Sequence, residues 1–356
     1  MAYTFQIPEG AYHIITALDH CAWPNLTLLP NGDIGAVIHN QPSHCRMEGD
    51  IELWVSEDGG YTWALRSQIT QHQPGTNRLM VAVGLNQDGD LIVLVSGHEL
   101  IEVNGEPMWG PVLDTQVWIS TDQGHTWERA GQVPIEGDAE ACIPHGDICV
   151  NGDELAVSLY TSRTGSTEQV KHNSSWIMRS SDGGRTWGDA SLIAADNFNE
   201  TDLLITRQGK WLAAVRLSHF PADDEPLPDC GANVLLFTSD DAGRTWAPQQ
   251  YLTLPRQIPA SLLELADGRI LVTYGSRMNE FRGVVARVSE DGGESWSRPF
   301  KLVGDFTQST DVGYPSSVQL ENGQIVTAYY NNWNPSYHRY HMGVLRWDLG
   351  MVDVQL

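Results

Sequence analysis

Short apolar runs interrupted by a single tight turn recur along the chain. NLTLLPNGDIGAVIH (25–39), VAVGLNQDGDLIVLVS (81–96), DICVNGDELAVSLY (147–160), DLLITRQGKWLAAVR (202–216), SLLELADGRILVTYG (261–275) and SVQLENGQIVTAYY (317–330) each read as strand, turn, strand. Their turn glycines are Gly32, Gly89, Gly152, Gly209, Gly268 and Gly323. Asn-Gly and Asp-Gly supply the positive φ that two-residue hairpin turns require, so the pattern predicts six hairpins. A third apolar run follows each one: IELWVS, TQVWIS, SSWIMRS, NVLLFTS, GVVARVS and HMGVLRW.

The first five of these runs lead directly into an octapeptide. It reads SEDGGYTW at 56, STDQGHTW at 120, SSDGGRTW at 180, SDDAGRTW at 239 and SEDGGESW at 289. A fourth strand after each octapeptide completes a four-stranded unit, repeated six times with little helix. Radially repeated four-stranded antiparallel sheets make a β-propeller, so the expected fold is all-β, a six-bladed propeller in a single domain over residues 1–356. The last unit lacks a fourth strand of its own, and a segment near Tyr3–Ile15 is expected to supply it. Five octapeptides at unit spacing are dispersed around such a ring and cannot converge on one substrate. Asp58, Asp122, Asp182, Asp241 and Asp291 are therefore read as turn-forming residues, with the tryptophan packing on a neighbouring blade.

The chain carries 21 Lys+Arg against 45 Asp+Glu, a formal charge of −24. Phosphate backbones and anionic membranes repel such a surface, which argues against nucleic-acid and membrane partners. Five cysteines without a CxxC spacing read as thiols in a reducing compartment. With no basic and apolar leader in MAYTFQIPEGAYHII, a cytoplasmic location is expected. No HxxxH or HExxH spacing points to zinc, and neither metal nor cofactor is expected. Nothing in the sequence sets an oligomeric state.

The repeated S-x-D-x-G-x-[TS]-W resembles the Asp-box of the sialidase (neuraminidase) superfamily, over essentially the whole chain. That resemblance implies an exo-glycosidase site over the propeller axis, with arginines gripping a substrate carboxylate, a tyrosine nucleophile paired with a glutamate, and an aspartate acid/base. The physics of such a set is coherent. A carboxylate on the anomeric carbon repels an Asp or Glu nucleophile, whereas tyrosine is neutral until its partner takes the proton. Position by position, the resemblance implies Tyr314 in DVGYPSS as nucleophile and Glu200 in NETDLL as its activator. Arg216 and Arg277, at the ends of two hairpins, become the carboxylate-binding pair. Arg216 closes the apolar strand WLAAVR, where a charge needs a partner.

The first blade departs from the family. Sialidases begin it with Phe/Tyr-Arg-Ile-Pro, and Ala22 of CAWP stands here where the arginine belongs. Arg163 and Arg46 are the candidate replacements. For the acid/base, NQPSHCRMEGD offers Asp50 and Glu48, with His44 as an outsider. His20 and His145 fall near hairpin ends where an axial site would lie, and WNPSYHRYH (333–341) reads as either a substrate rim or packing.

Three functions are thus in view. The first is a retaining, sialidase-like hydrolase that releases a terminal acidic sugar from an acidic glycan. The second is a polysaccharide lyase or rhamnosidase-like enzyme acting on uronates, with Tyr314 and His20 or His145 moving the proton. The third is a non-catalytic glycan-binding propeller, a reading opened by Ala22.

Overall fold

The computed structural model describes residues 6–135, 139–162, 173–218, 232–279, 281–304, 310–334 and 337–355. Among them the chain is all-β, built of four-stranded antiparallel units in sequence order. The first quartet comprises Asn25–Leu28, Ile34–His39, Ile51–Ser56 and Ala64–Gln68. The second and third, starting at Met80–Leu85 and Ala141–Asn151, are joined into one eight-stranded sheet by a short parallel bridge, Gly146 to Ala82 and Asp147 to Val83. The fourth and fifth start at Phe198–Ile205 and Gln257–Glu264. The sixth contains Gly313–Gln319, Ile325–Asn331 and His341–Trp347, and takes its outer strand from Tyr12–Thr16, which pairs antiparallel with His341–Trp347. All six predicted turn glycines have φ between 61° and 91°.

The apolar core lies between quartets. On the second strand of the second quartet, Leu91, Val93 and Val95 pack with Leu53 and Val55 of the first quartet. The alternate residues Ile92 and Leu94 pack with Val157 and Leu159 of the third. A strand has a side-chain period of two, so one strand feeds two cores. Buried on both faces, these second strands read as continuous apolar runs, and Ile325–Asn331 is buried at every position. The same arrangement links third to fourth, fourth to fifth, fifth to sixth, and sixth to first through Val326 and Val344 against Ile34 and Ile38. The first strands follow the same order, and Asn25–Leu28 neighbours both Met80–Leu85 and Gly313–Gln319. Each fully buried Val, Leu or Ile contributes roughly 1.5–3 kcal/mol.

The octapeptides fasten these contacts. Asp182 Oδ1 accepts from Ser180 Oγ (2.8 Å) and Thr186 N (2.9 Å), and Oδ2 accepts from Thr186 Oγ1 (2.6 Å). Equivalent bonds form at the other four boxes. At Asp241 the bonds from Thr245 and Ser239 hold the carboxyl at about 2. The Gly184 backbone, at φ +88°, lies so close to the second quartet that a Cβ there would sit 2.3 Å from Ile92 Cδ1. Gly124 meets Leu53 of the first quartet in the same way. Each glycine is thus demanded twice, by its φ and by the neighbour it touches.

Two substitutions separate these demands. Asp182→Ala is expected to lower unfolding stability by about 1–2 kcal/mol through lost turn hydrogen bonds. Gly184→Ala should cost more, because about 1–2 kcal/mol of backbone strain adds to the overlap with Ile92. Urea denaturation measures both, and an Asp182→Ala loss equal to or above that of Gly184→Ala would contradict the docking role of the glycine.

Candidate active site

A cavity of about 360 Å³ is lined by the starts of all six first strands. In the third to sixth quartets the start of that strand is irregular: register shifts fall at Pro144/Ile148, Phe198/Thr201, Gln257/Ala260 and Gly313/Ser316. A bulge frees a residue from the ladder and re-aims its side chain. The bulged stretches contribute His145 and Asp147, Asn199 and Glu200, Pro259, and Tyr314 to the cavity wall. Tyr314 itself has φ +49°, a left-handed conformation that costs a bulky residue roughly 1–3 kcal/mol. Gly313 beside it packs against Gly275, where a Cβ on Gly313 would lie 3.0 Å from the Gly275 Cα. This close backbone approach brings Arg277, two residues beyond Gly275, to within 5.7 Å of the Tyr314 ring centroid.

Glu200, Tyr314 and Arg216 form a closed hydrogen-bonded trio. Tyr314 Oη donates to Glu200 Oε1 at 2.6 Å. Arg216 Nη1 donates to Glu200 Oε2 at 2.5 Å and to Tyr314 Oη at 3.2 Å. Burial pushes the Glu200 carboxyl up, but the charge of Arg216 and the bonds from Tyr314 and Arg216 outweigh it, leaving the group at about 2. Burial and the Glu200 charge push the Tyr314 phenol well above the usual tyrosine range. In the resting site the proton therefore stays on Tyr314, hydrogen-bonded to a carboxylate positioned to take it. Arg216 Nε and Arg277 Nη2 are buried without a hydrogen-bond partner among the described residues.

The other expected residues fare differently. Asp50 and Glu48 do not line the cavity. Asp50 Oδ1 accepts from Thr70 Oγ1 (2.8 Å), while Oδ2 takes bonds from His72 Nδ1 (2.8 Å) and Gln68 Nε2 (3.2 Å). Glu48 accepts from Gly75 N at 2.6 Å and faces His72 Nε2 at 3.3 Å. Both carboxylates are thus committed to the loop that follows the first quartet. His20 is held by Leu18 O and Glu52 and does not line the cavity. Arg46 is exposed and also lies outside the lining, and Arg163 falls outside the described residues. Ala22 is fully buried in the core between the sixth and first quartets, and it is the next residue, Trp23, that lines the cavity.

Several lining residues had weak or no sequence signals. The second hairpin is longer than its pattern suggests: strands Leu91–Val103 and Glu106–Ser120 extend it, placing His98, Trp109 and Val112 at the cavity. No described residue of 333–341 lines the cavity; instead Tyr337 donates to Asp19 and Tyr340 to Asp311. His44, by contrast, does line it, with Nδ1 2.8 Å from Asp311 Oδ1. Asp147 and Asp202 form a close carboxyl pair in the wall, and burial raises both, Asp202 to about 7. Asp202 accepts from Asp147 N (3.1 Å) and Leu262 N (2.6 Å), which ties three neighbouring strands together.

An all-β array of four-stranded sheets, clamped by repeated Asp-boxes around a cavity holding a Tyr–Glu–Arg trio, defines a class of protein. The chain belongs to the BNR repeat-like domain family, whose model matches residues 45–327. No curated protein matches the sequence. Among solved structures it is similar to a protein of unknown function from Dyadobacter fermentans, at 20% identity and a TM-score of 0.76, covering 95% of this chain and 100% of that one. It is also similar to Trypanosoma rangeli sialidase solved with 2,3-difluorosialic acid, at 14% identity and a TM-score of 0.68, covering 98% of this chain but 60% of that one. The α-L-arabinofuranosidase Arb93A of Fusarium graminearum matches at 13% identity and a TM-score of 0.62, covering 96% and 98%.

The depressed Glu200 value has a consequence for stability. A carboxyl lowered to about 2 on folding stabilises the protein fully above its ordinary pKa near 4.5, and that contribution is lost as pH falls toward 2. Glu200→Gln should therefore be less stable than wild type at pH 6. The gap should narrow below pH 5 by at most about 1.4 kcal/mol per pH unit. Urea unfolding at pH 6, 4 and 3 checks this, and a constant gap would rule out the stabilising anion.

Proposed function

We propose that the chain is a single six-bladed β-propeller domain and a glycoside hydrolase that releases a terminal acidic sugar, with Tyr314 as nucleophile. The trio of Glu200, Tyr314 and Arg216, at 2.6, 3.2 and 2.5 Å, is the observation that carries the reading. The succession of cores and of first strands, in which the sixth quartet meets the first, supports the ring.

In this reading the phenol oxygen attacks the anomeric carbon while Glu200 takes its proton, and the leaving oxygen departs. Water then displaces tyrosine, so configuration is retained. Arg216 and Arg277, each with a guanidinium nitrogen lacking a partner among the described residues, hold the sugar's carboxylate, and the Trp23 indole lines the same cavity. The likeness in fold to a sialidase recorded as a covalent intermediate and to an arabinofuranosidase supports a glycosidase without choosing the sugar. A second reading, elimination on a uronate, draws on His145. Its ring centre lies 6.1 Å from that of Tyr314, and burial lowers its pKa and keeps it a neutral base.

Mass spectrometry of products from sialylated and uronate-capped oligosaccharides tests these readings, with wild type beside Tyr314→Phe. The expected result is a released acidic sugar carrying one added water, with turnover lost by at least about 10³-fold in the variant. An unsaturated product moves the assignment to the lyase. Turnover that survives Tyr314→Phe, or no turnover at all, defeats the mechanism. Trp109→Ala should raise KM for oligosaccharides while leaving small aryl glycosides unaffected, because the long hairpin reaches past the terminal sugar. An equal effect on both substrates would place Trp109 against the terminal sugar instead.

A further inference from the structure

The hydrolase reading leaves the proton for the leaving group without a donor, since Asp50 and Glu48 lie away from the cavity. Resting on that reading, we propose that His44 is the general acid/base and Asp311 its positioning residue.

Position is the first support. His44 lines the cavity, and its ring meets the Trp23 indole edge-on at 5.0 Å between centres. The same indole lies 6.4 Å from the Tyr314 ring, so His44 and the nucleophile flank one aromatic wall. The side chain is 43% exposed and can exchange its proton with water between turnovers.

The second support is the partner. Asp311 accepts from His44 Nδ1 at 2.8 Å, from Tyr330 Oη at 2.5 Å and from Tyr340 Oη. Burial pushes the Asp311 carboxyl up, yet the bond and charge of His44 and the two tyrosine bonds outweigh it and hold the group at about 2. An anionic acceptor at Nδ1 fixes the tautomer, so Nε2 carries the exchangeable proton. Other titratable groups around the pair stay neutral: burial pushes up Cys21, Tyr330 and Tyr340, and lowers His39 to about 4. The Arg277 charge acts on Tyr330 against the effect of burial. Cys21, His44 and Asp311 offer donor atoms within 4.8 Å of one another, but a protonated thiol and a carboxylate already engaged by three donors suit proton sharing better than metal ligation.

The alternatives in the wall are weaker. Both oxygens of Asp202 serve backbone N–H groups, and His145 is kept neutral and has no proton to give. Asp147 is the remaining acid.

The step balances. As the Tyr314 oxygen bonds to the anomeric carbon, the glycosidic C–O bond breaks, Glu200 takes the phenol proton, and His44 Nε2 gives its proton to the leaving oxygen. Neutral His44 then takes a proton from the attacking water, the C–O bond to tyrosine breaks, and Glu200 returns its proton to the phenolate. The net change is addition of one water.

The test presents the acidic sugar turned over by wild type on an alkyl alcohol and on 4-nitrophenol, which departs without a proton. His44→Gln is expected to lose about 10²–10⁴-fold on the alkyl glycoside and far less on the nitrophenyl one, with azide trapping the second step as a glycosyl azide. Asp311→Asn should lower kcat on the alkyl glycoside far more than on the nitrophenyl one, a split that loss of packing alone would not produce. Independently of activity, ¹⁵N-histidine spectra of wild type should show neutral His44 protonated at Nδ1 and bare at Nε2. The reverse tautomer overturns the proposal. So does full alkyl-glycoside activity in His44→Gln, or the leaving-group dependence appearing in Asp147→Asn instead. An inactive wild type overturns the hydrolase reading beneath it, and the two failures are therefore distinguishable.

Discussion

Face-to-face burial between successive quartets is the constraint on which everything else rests. No quartet has an apolar face to spare for solvent, because alternate residues of its second strand belong to two different cores, as at Leu91–Val95. A sheet buried on both sides cannot shift by one residue without exchanging the contents of both cores. That rigidity is what the irregular strand starts draw upon. Four register shifts and a tyrosine at φ +49° are tolerated because the ladders behind them hold their alignment.

Much of this was legible in the sequence, for identifiable reasons. The hairpins announced themselves through period-two apolar runs and glycine turns, and the Asp-boxes through repetition. Arg216 stood out as a charge closing an apolar strand, and it does meet Glu200 and Tyr314. The residues that stayed hidden depend on distances that sequence does not encode. Asp311 is one of these: it lies 267 positions from His44, the outsider among the acid/base candidates, and the two meet through the contact of the sixth quartet with the first. Asp50 sits at a strand start that points toward Thr70 and His72. The stretch GHELIEVNGEPMWGPVLD carries no strand signal of this kind, because its polar residues break the alternation. The strands continue there beyond the packed sheets, where no second face needs an apolar partner.

A chain with a formal charge of −24 is an unlikely host for an anion on long-range grounds alone. Screening at physiological ionic strength confines that repulsion to about 8 Å. Inside the cavity, local geometry decides, and there Arg216 and Arg277 carry buried guanidinium nitrogens with no partner among the described residues. The acidic surface and the two arginines of the cavity wall are therefore separate features.

The outer strand of the sixth quartet has a consequence for biosynthesis. Tyr12 pairs with Arg346, so this strand finds its partner only after the 333 residues between them have been made. At about 5–20 residues per second, that wait is roughly twenty seconds to a minute. During it, an unpaired strand with two adjacent isoleucines, Ile14 and Ile15, remains open to pairing with another nascent chain. The strand that completes the array is thus also the point at which translation rate and chaperone supply bear on yield.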